Sequence, residues 1–234
     1  QVLLRLSPPD NERLSRGDTF VKQVGGAELN VAVGAALLGL HTGVISKLPA
    51  HDIGSFMKGK IRSFGVSDDF FMYDQSPAAR VGIYYYENGA YPRKPKVIYD
   101  RNHSSFFSLD IDEIPEEVYT ASKCFHTTGI TLALNEEIRE TTIEMIKRFK
   151  AAGTLVSFDV NFRGNLWTGD QARECILRIL PYVDIFFCSE DTARLTFLKT
   201  GTAREMMKSF TEEYPISIVA STQRIVHSPK RHTF

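Results

Sequence analysis

Net charge, long apolar runs and paired cysteines are all missing from this sequence of 234 residues. Its 28 Lys and Arg residues balance 28 Asp and Glu residues, so it lacks the positive potential that binding to nucleic acid or to an anionic membrane needs. The longest nearly apolar run, residues 31–40, is far shorter than the roughly 20 residues of a membrane-spanning helix, and no basic and apolar leader opens the sequence. We expect neither nucleic acid nor a membrane as a partner.

Cysteine and histidine patterns exclude several kinds of site. Cys124, Cys175 and Cys188 are an odd number, are widely spaced and lie in apolar stretches, which is typical of buried thiols in a reducing compartment. The six histidines show no metal-ligand spacing, no Ser/His/Asp or Cys/His arrangement forms a local motif, and no GxGxxG follows a strand. We therefore predict a cytoplasmic protein and disfavour a Rossmann dehydrogenase.

Helix and strand patterns alternate along most of the sequence. The predicted helices are 27–40, 53–64, 135–152, 168–180, 190–197 and 203–214, and the predicted strands are 42–48, 123–127, 154–160, 183–188 and 216–220. Such alternation is typical of parallel strands joined by right-handed crossovers. The strands are apolar on both faces, as expected where helices cover both sides of a sheet. The sequence predicts an α/β sandwich with a mainly parallel sheet.

Between Arg80 and Arg101 the pattern changes to β-branched and aromatic residues. Residues 81–86 and 96–101 flank a turn-rich stretch, which predicts a β-hairpin. A two-stranded element is marginally stable alone, so its aromatic face either covers the main domain or meets a second copy. We predict a small β lid, formed by about 11–24 and 80–101, whose outer face makes a homodimer or higher homo-oligomer.

Polar residues at predicted strand ends are candidate ligand contacts, since ligands bind beyond the carboxyl ends of parallel strands. Gly26 opens a helix whose N terminus suits an oxygen-rich ligand, although a simple turn has the same pattern. If the strand before them persists, Asp159, Asn161 and Arg163 share one face; the alternative is an Asp/Asn turn with a solvated Arg.

The stretch 189–191 allows two interpretations. Its adjacent carboxylates could hold Mg²⁺ through water. Ser189 also suits a helix cap with acidic residues opposing the dipole, and capping is favoured.

Several stretches carry a likeness to a known family, in the order in which the family has them. They are residues 4–9, 25–33, 82–84, 97–101, 128–130 and 159–163, with Leu166 and Trp167. Through these stretches the sequence resembles the ribokinase/PfkB-like carbohydrate kinases, and within them the bacterial 2-keto-3-deoxygluconate kinases. The resemblance implies a single ribokinase-like domain over 1–234, a three-layer α/β/α sandwich that lacks the C-terminal part of the fold.

The resemblance also implies an activity, which is the ATP-dependent phosphorylation of 2-dehydro-3-deoxy-D-gluconate to its 6-phosphate. The implied sugar-acid contacts are Gly26, Tyr84, Tyr99, Arg101 and Arg163. The implied nucleotide contacts are Asn161, Arg163 and Ser189, with Glu190 positioning Mg²⁺ through water. Arg101 fits an anionic substrate, because a charge-assisted bond to a carboxylate stabilises binding by about 1.5–3 kcal/mol.

Two departures from the family pattern limit this expectation. Ser189 stands where relatives usually have Asn, and the family's Gly-Ala-Gly-Asp motif is absent from the sequence. We therefore expect the catalytic base to lie beyond Phe234 and this chain alone to be inactive. A kinase of a neutral sugar, such as fructose or ribose, and a non-catalytic sugar-acid-binding module remain alternatives.

Overall fold

The computed structural model describes residues 1–223, 225–228 and 231–233. The chain folds into two compact units, Gln1–Pro115 and Glu116–Phe234. Within the described residues no helix combines the length and the apolar character needed to cross a membrane. That both units belong to a single domain stays a prediction.

The elements of the first unit are β1 (Leu3–Ser7), β2 (Val21–Gly25), α1 (Ala27–Leu37), β3 (Thr42–Gly43), β4 (Ser46–Pro49), α2 (Asp52–Arg62), β5 (Val66–Ser67), β6 (Phe71–Asp74), β7 (Ile83–Glu87) and β8 (Lys96–Asp100). Short 3-10 turns follow at Ser105–Ser108 and Ile111–Glu113. The predicted helices and the predicted hairpin are confirmed. The predicted strand 42–48 is wrong as one element, because β3 pairs with β5 while β4 pairs with β6.

The hairpin belongs to a larger sheet in the first unit. The strand order is β2-β1-β7-β8, with β1 antiparallel to β2 and parallel to β7, and β7 antiparallel to β8. A buried carboxylate ties the β1–β2 connection to this hairpin: Glu87 is 7% exposed, accepts a hydrogen bond from the Leu14 N–H at 2.9 Å and pairs with Arg93 Nε at 3.2 Å. The two segments predicted to form the lid are therefore fastened to each other.

An apolar core lies inside this unit and holds its two helices against the strands. The buried cluster contains Val2, Leu4, Leu29, Val44, Leu48, Met57, Ile61, Val66, Phe71 and Val81. Its members come from strands, from the segments next to them and from both helices. Burial of each such side chain stabilises the fold by about 1.5–3 kcal/mol.

The elements of the second unit are α3 (Glu117–Ala121), β9 (Cys124–Thr128), α4 (Gly129–Leu132), α5 (Glu136–Ala151), β10 (Leu155–Asp159), α6 (Gly169–Leu177), β11 (Ile185–Phe187), α7 (Glu190–Leu195), α8 (Ala203–Glu213), β12 (Ile218–Ala220), β13 (Ile225–Ser228) and β14 (Arg231–Thr233). The strand order β12-β11-β10-β9 is parallel throughout. The predicted α/β fold with parallel strands is confirmed.

Cysteine burial differs from the sequence expectation at one position. Cys175 and Cys188 are buried, and burial raises the pKa of the Cys188 thiol to about 12. Cys124 is exposed, so the prediction of three buried thiols is wrong there. The physical reason is that Cys124 begins β9, which is the end strand in the order of this sheet.

Asp184 connects three strands of the second unit. Its Oδ1 lies 2.5 Å from Lys150 Nζ, and its Oδ2 accepts a hydrogen bond from the Val156 N–H at 2.9 Å. Its backbone oxygen accepts from the N–H groups of Ser217 and Ile218 at 2.9 and 3.1 Å. The carboxylate is thus the acceptor for a buried amide of β10 and the partner of a lysine on α5.

Replacing this carboxylate tests that role. We expect Asp184→Ala to lower the free energy of unfolding by about 2–4 kcal/mol, because a buried N–H and a cation lose their partner together. Glu212→Ala is the matched control, since Glu212 forms an exposed pair with Lys208, and its effect should stay within about 0.5 kcal/mol. Urea unfolding followed by circular dichroism measures both; equal effects would contradict the assigned role.

Candidate functional site

One face of the four-stranded sheet carries a cross-strand row of polar and aromatic side chains. Arg5 on β1 pairs in register with Gln23 on β2 and with Tyr84 on β7, and Tyr84 pairs with Tyr99 on β8. Because side chains alternate along a strand, members of such a row lie on the same face. Arg101 follows Tyr99 by two positions and has its guanidinium carbon 5.3 Å from the Tyr99 ring centre.

Two glycines leave the space in which this row packs. A Cβ on Gly25 would overlap the Tyr84 hydroxyl and come within 3.1 Å of its ring. A Cβ on Gly82 would lie 2.6 Å from Leu3 Cδ2. The Tyr84 side chain therefore extends from β7 across β1 to β2, where the glycine allows its hydroxyl to lie against the backbone.

Gly26 lies at the N terminus of α1 in a conformation that favours glycine. Its φ is 156°, and a Cβ there would lie 2.7 Å from the carbonyl oxygen of Gln1. Gly26 is the cap residue of α1 and has no side chain to satisfy the first amides. Those amides and the helix dipole suit an oxygen-rich ligand.

Arg101 is a buried cation held by an uncharged group. It is 8% exposed, and its Nε donates a hydrogen bond to Gln1 Oε1 at 2.9 Å. Gln1 Nε2 in turn donates to Ser104 Oγ at 2.9 Å. Burial lowers the pKa of Arg101, while Tyr99 and Glu28 nearby oppose that shift. The described residues give Arg101 no carboxylate ion pair, so its terminal nitrogens suit an anionic ligand.

The two tyrosines complete this group. The ring centres of Tyr84 and Tyr99 are 6.0 Å apart with planes tilted by 35°. Burial raises the pKa of Tyr84, while the neighbouring Arg5 opposes that rise. Tyr99 is 47% exposed. The Tyr84 phenol is therefore protonated near neutral pH, as a donor to a polyhydroxy ligand must be.

Four of the residues predicted to contact substrate thus come together in the first unit: Gly26, Tyr84, Tyr99 and Arg101. Gln1 lies between them, because its carbonyl approaches Gly26 and its side chain holds Arg101. The sequence analysis did not predict that Gln1 positions Arg101. No local sequence pattern indicates this role, since the side-chain partners of Gln1 lie about a hundred positions away in the chain.

The predicted nucleotide contacts lie at the carboxyl edge of the parallel sheet in the second unit. Asp159 ends β10, and its Oδ1 accepts a hydrogen bond from the Asn161 N–H at 2.9 Å. Asn161 has a φ of 38°, so the strand does not persist. Of the two interpretations, the Asp/Asn turn is confirmed, and the shared face of Asp159, Asn161 and Arg163 is wrong. Arg163 is exposed, and its terminal nitrogen donates to the Phe162 carbonyl at 3.1 Å. Its predicted convergence with the first-unit residues stays a prediction.

Ser189 caps α7, which confirms the capping interpretation. Its Oγ accepts a hydrogen bond from the Thr192 N–H at 3.2 Å. Glu190, in the first turn, pairs with Arg194 at 3.0 Å. No group of three His, Cys, Asp or Glu side chains among the described residues could hold a metal ion. Mg²⁺ that is held mainly by water and phosphate oxygens needs fewer protein ligands than such a group supplies, so the role of Glu190 in positioning it stays a prediction.

Comparison with known proteins identifies the relatives of the chain. Residues 2–223 match the pfkB family carbohydrate kinase. The chain is 34% identical over 223 residues to the 2-dehydro-3-deoxygalactonokinase of Haloferax volcanii, with 95% of this chain and 69% of that protein covered. It is 33% identical over 156 residues to the 2-dehydro-3-deoxygluconokinase of Bacillus subtilis, with 66% of this chain and 47% of that protein covered.

A solved structure gives the same likeness. The crystal structure of 2-dehydro-3-deoxygluconokinase from Thermotoga maritima superposes with a TM-score of 0.89 at 33% identity, and covers 96% of this chain and 69% of that one.

A methyl group added at Gly25 tests the packing of the site. We expect Gly25→Ala to lower the free energy of unfolding by about 1–3 kcal/mol, because its Cβ displaces the Tyr84 hydroxyl. Adding Tyr84→Phe should recover part of that loss, since the phenyl ring lacks the overlapping oxygen.

Gly34→Ala is the matched control. Gly34 lies inside α1 with open space around its Cβ position, so alanine there should raise stability by about 0.5–1 kcal/mol. Urea unfolding gives the free energy of unfolding of Gly25→Ala, Tyr84→Phe, the double variant and Gly34→Ala. If the effects of Gly25→Ala and Tyr84→Phe simply add in the double variant, the proposed contact between the two residues is contradicted.

Proposed function

We propose that this chain, which belongs to the pfkB family of carbohydrate kinases, binds 2-dehydro-3-deoxy-D-gluconate for ATP-dependent phosphorylation to the 6-phosphate. Relatives named 2-dehydro-3-deoxygalactonokinase and 2-dehydro-3-deoxygluconokinase support a sugar acid as the substrate class. The observation that carries the proposal is Arg101, a buried guanidinium whose hydrogen bond goes to an uncharged amide oxygen.

Arg101 distinguishes an acid from a neutral sugar on electrostatic grounds. A buried cation has lost most of its hydration, and a ligand carboxylate returns a charge-assisted interaction of about 1.5–3 kcal/mol. A neutral sugar offers only hydroxyl oxygens, so it leaves most of the desolvation cost uncompensated. In the proposal Arg101 binds the carboxylate, Tyr84 and Tyr99 bind keto and hydroxyl oxygens, and the Gly26 turn contacts the chain of the sugar.

The nucleotide side of the proposal concerns the second unit. Asn161, Arg163 and Ser189 follow parallel strands at the edge where ligands of such sheets bind. Arg163, which is exposed and in the proposal serves both ligands, suits a phosphate. We assign no step to Mg²⁺, and Glu190 is the residue proposed to position it through water.

We also propose that the protein is located in the cytoplasm. This is supported by its three cysteines, which are all free thiols.

Ligand binding is the appropriate measurement on this chain. The family's Gly-Ala-Gly-Asp motif, to which the resemblance assigns the base and the anion hole, is absent from its sequence. Turnover therefore depends on groups that the 234 residues do not include. The groups proposed to recognise the sugar acid are present.

Removing the guanidinium is expected to abolish selectivity for the acid. We predict that Arg101→Ala weakens binding of 2-keto-3-deoxygluconate about ten- to a hundredfold and leaves fructose binding unchanged. The affinity of Arg101→Lys for the acid should fall between those of the wild type and Arg101→Ala, because lysine keeps the charge but lacks the planar fork of the guanidinium. Titration calorimetry or ligand-observed NMR gives the dissociation constants.

Arg62→Ala is the matched control for loss of one positive charge, because Arg62, the last residue of α2, is exposed and pairs with Asp68. An equal loss for acid and fructose in Arg101→Ala would show that the residue supports the fold rather than substrate choice. A wild-type chain that prefers fructose would favour the neutral-sugar kinase.

Oligomerisation through the lid is the second part of the proposal. The face opposite the site row carries Ile98 on β8, in register with Tyr85, whose ring lies 6.0 Å from that of Phe20. Ile98 and Phe20 are 44% and 41% exposed. An exposed apolar edge strand is a pairing surface, and the occupant we propose is a second copy of this chain.

We predict a homodimer or larger homo-oligomer at micromolar concentration, and a monomer for Ile98→Lys. A buried lysine without a partner would oppose the contact. Leu195→Lys is the control, since Leu195 is 74% exposed on α7 in the second unit and should not affect assembly. Sedimentation velocity measures the oligomeric state of the wild type and of both variants. A wild-type protein that stays monomeric would exclude the lid contact.

A further inference from the structure

Arg5 is a second cation on the face that carries the candidate site, and the proposed function gives it no role. It lies at the centre of the cross-strand row, between Gln23 and Tyr84. Its neighbours along β1, Leu4 and Leu6, belong to or pack against the apolar core. Because Leu4 and Leu6 face the core, Arg5 lies in the middle of the opposite face of the sheet. There it is next to Tyr84, which is proposed to bind substrate.

The guanidinium of Arg5 is held in place from two sides. Its Nε donates a hydrogen bond to Ser7 Oγ at 2.9 Å, and its central carbon lies 4.4 Å from the ring centre of Tyr86. The described residues give it no carboxylate ion pair. Stacking on an aromatic ring and one neutral hydrogen bond fix the plane of the group, while its terminal nitrogens keep donors for another acceptor.

The position of the Tyr84 hydroxyl makes it the acceptor for the terminal nitrogens of Arg5. Tyr84 is the register partner of Arg5, and its side chain crosses β1 to lie against Gly25. A phenol carries one proton and accepts through its lone pairs, whereas a guanidinium only donates. A hydroxyl that accepts from Arg5 cannot donate back to it, so its proton points to a third group.

We propose that Arg5 is a positioning residue, which donates to the Tyr84 hydroxyl and thereby directs the Tyr84 proton to the keto oxygen of the bound sugar acid. A keto oxygen carries no hydrogen and can only accept, while a sugar hydroxyl can present its own proton in conflict. Arg5 thus adds to the preference for a 2-keto acid over a polyol. This ligand step rests on the proposed function, but the hydrogen bond between Arg5 and Tyr84 does not.

The hydrogen bond is tested without any ligand. Protein labelled with ¹³C at tyrosine Cζ gives one resonance per tyrosine, and Tyr84→Phe identifies that of Tyr84. We expect Arg5→Met to shift this resonance and to raise the Tyr84 pKa, because a nearby positive charge and a donor to the phenolate are both lost. Arg5→Lys should recover part of the change, since it restores the charge.

Arg62→Met removes an exposed charge in the same unit and should leave the Tyr84 resonance unchanged. Circular dichroism confirms that each variant is folded, and Arg5→Lys supplies the test if Arg5→Met is not. A Tyr84 resonance and pKa that stay the same in every folded Arg5 variant would overturn the proposal.

The ligand step is tested by comparing a keto acid with its reduced form. We expect Arg5→Met to weaken binding of 2-keto-3-deoxygluconate about five- to tenfold and to weaken 3-deoxygluconate, in which the keto group is a hydroxyl, much less. Tyr84→Phe should give a similar loss, and the double variant should lose little more than either alone.

Losses that simply add, or that are equal for the two ligands, would overturn the positioning role. If the wild-type chain binds no sugar acid, the proposed function fails and the ligand step fails with it. The Cζ titration then still decides whether Arg5 holds the Tyr84 hydroxyl.

Discussion

Strand β1 is hydrogen-bonded along both edges, antiparallel to β2 and parallel to β7, and the candidate site depends on this double pairing. Since successive side chains point to opposite faces, the pairing fixes which residues of all these strands share a face. A slip by one residue would place Leu4 on the face of the candidate site and Arg5 in the apolar core. The cost of burying that charge is what holds the register.

The same pairing positions the glycine turn and the helix after it. Gly25 ends β2 opposite Leu3, so Gly26 and α1 start beside the beginning of β1. Leu29 on α1 then joins the core with Leu4. Core packing beneath the sheet and the proposed ligand contacts above it therefore both depend on one register. This register also brings residues 26 and 101 near each other although they are far apart in the chain.

Periodicity predicted most helices and strands, because amphipathic and apolar patterns are local. The resemblance to the family supplied Gly26, Tyr84, Tyr99 and Arg101, yet their grouping needs strand order, which no local pattern contains. The misjudged details depend on the same information: Cys124 is exposed because its strand is at one end of the sheet order. Asn161 leaves the strand because its amide bonds to the preceding Asp159.

In the proposed site, Arg101 and Arg5 use one side-chain type for two purposes on one face of the sheet. Arg101 is buried against an amide oxygen, and burial lowers its pKa, so the folded protein carries part of the cost of desolvating a cation before any ligand arrives. A carboxylate that binds there offsets that cost, and a neutral ligand does not. Arg5 instead lies on the Tyr86 ring beside Tyr84. In the proposed site the charge of Arg5 acts through the phenol of Tyr84, so Arg5 contributes direction where Arg101 contributes attraction.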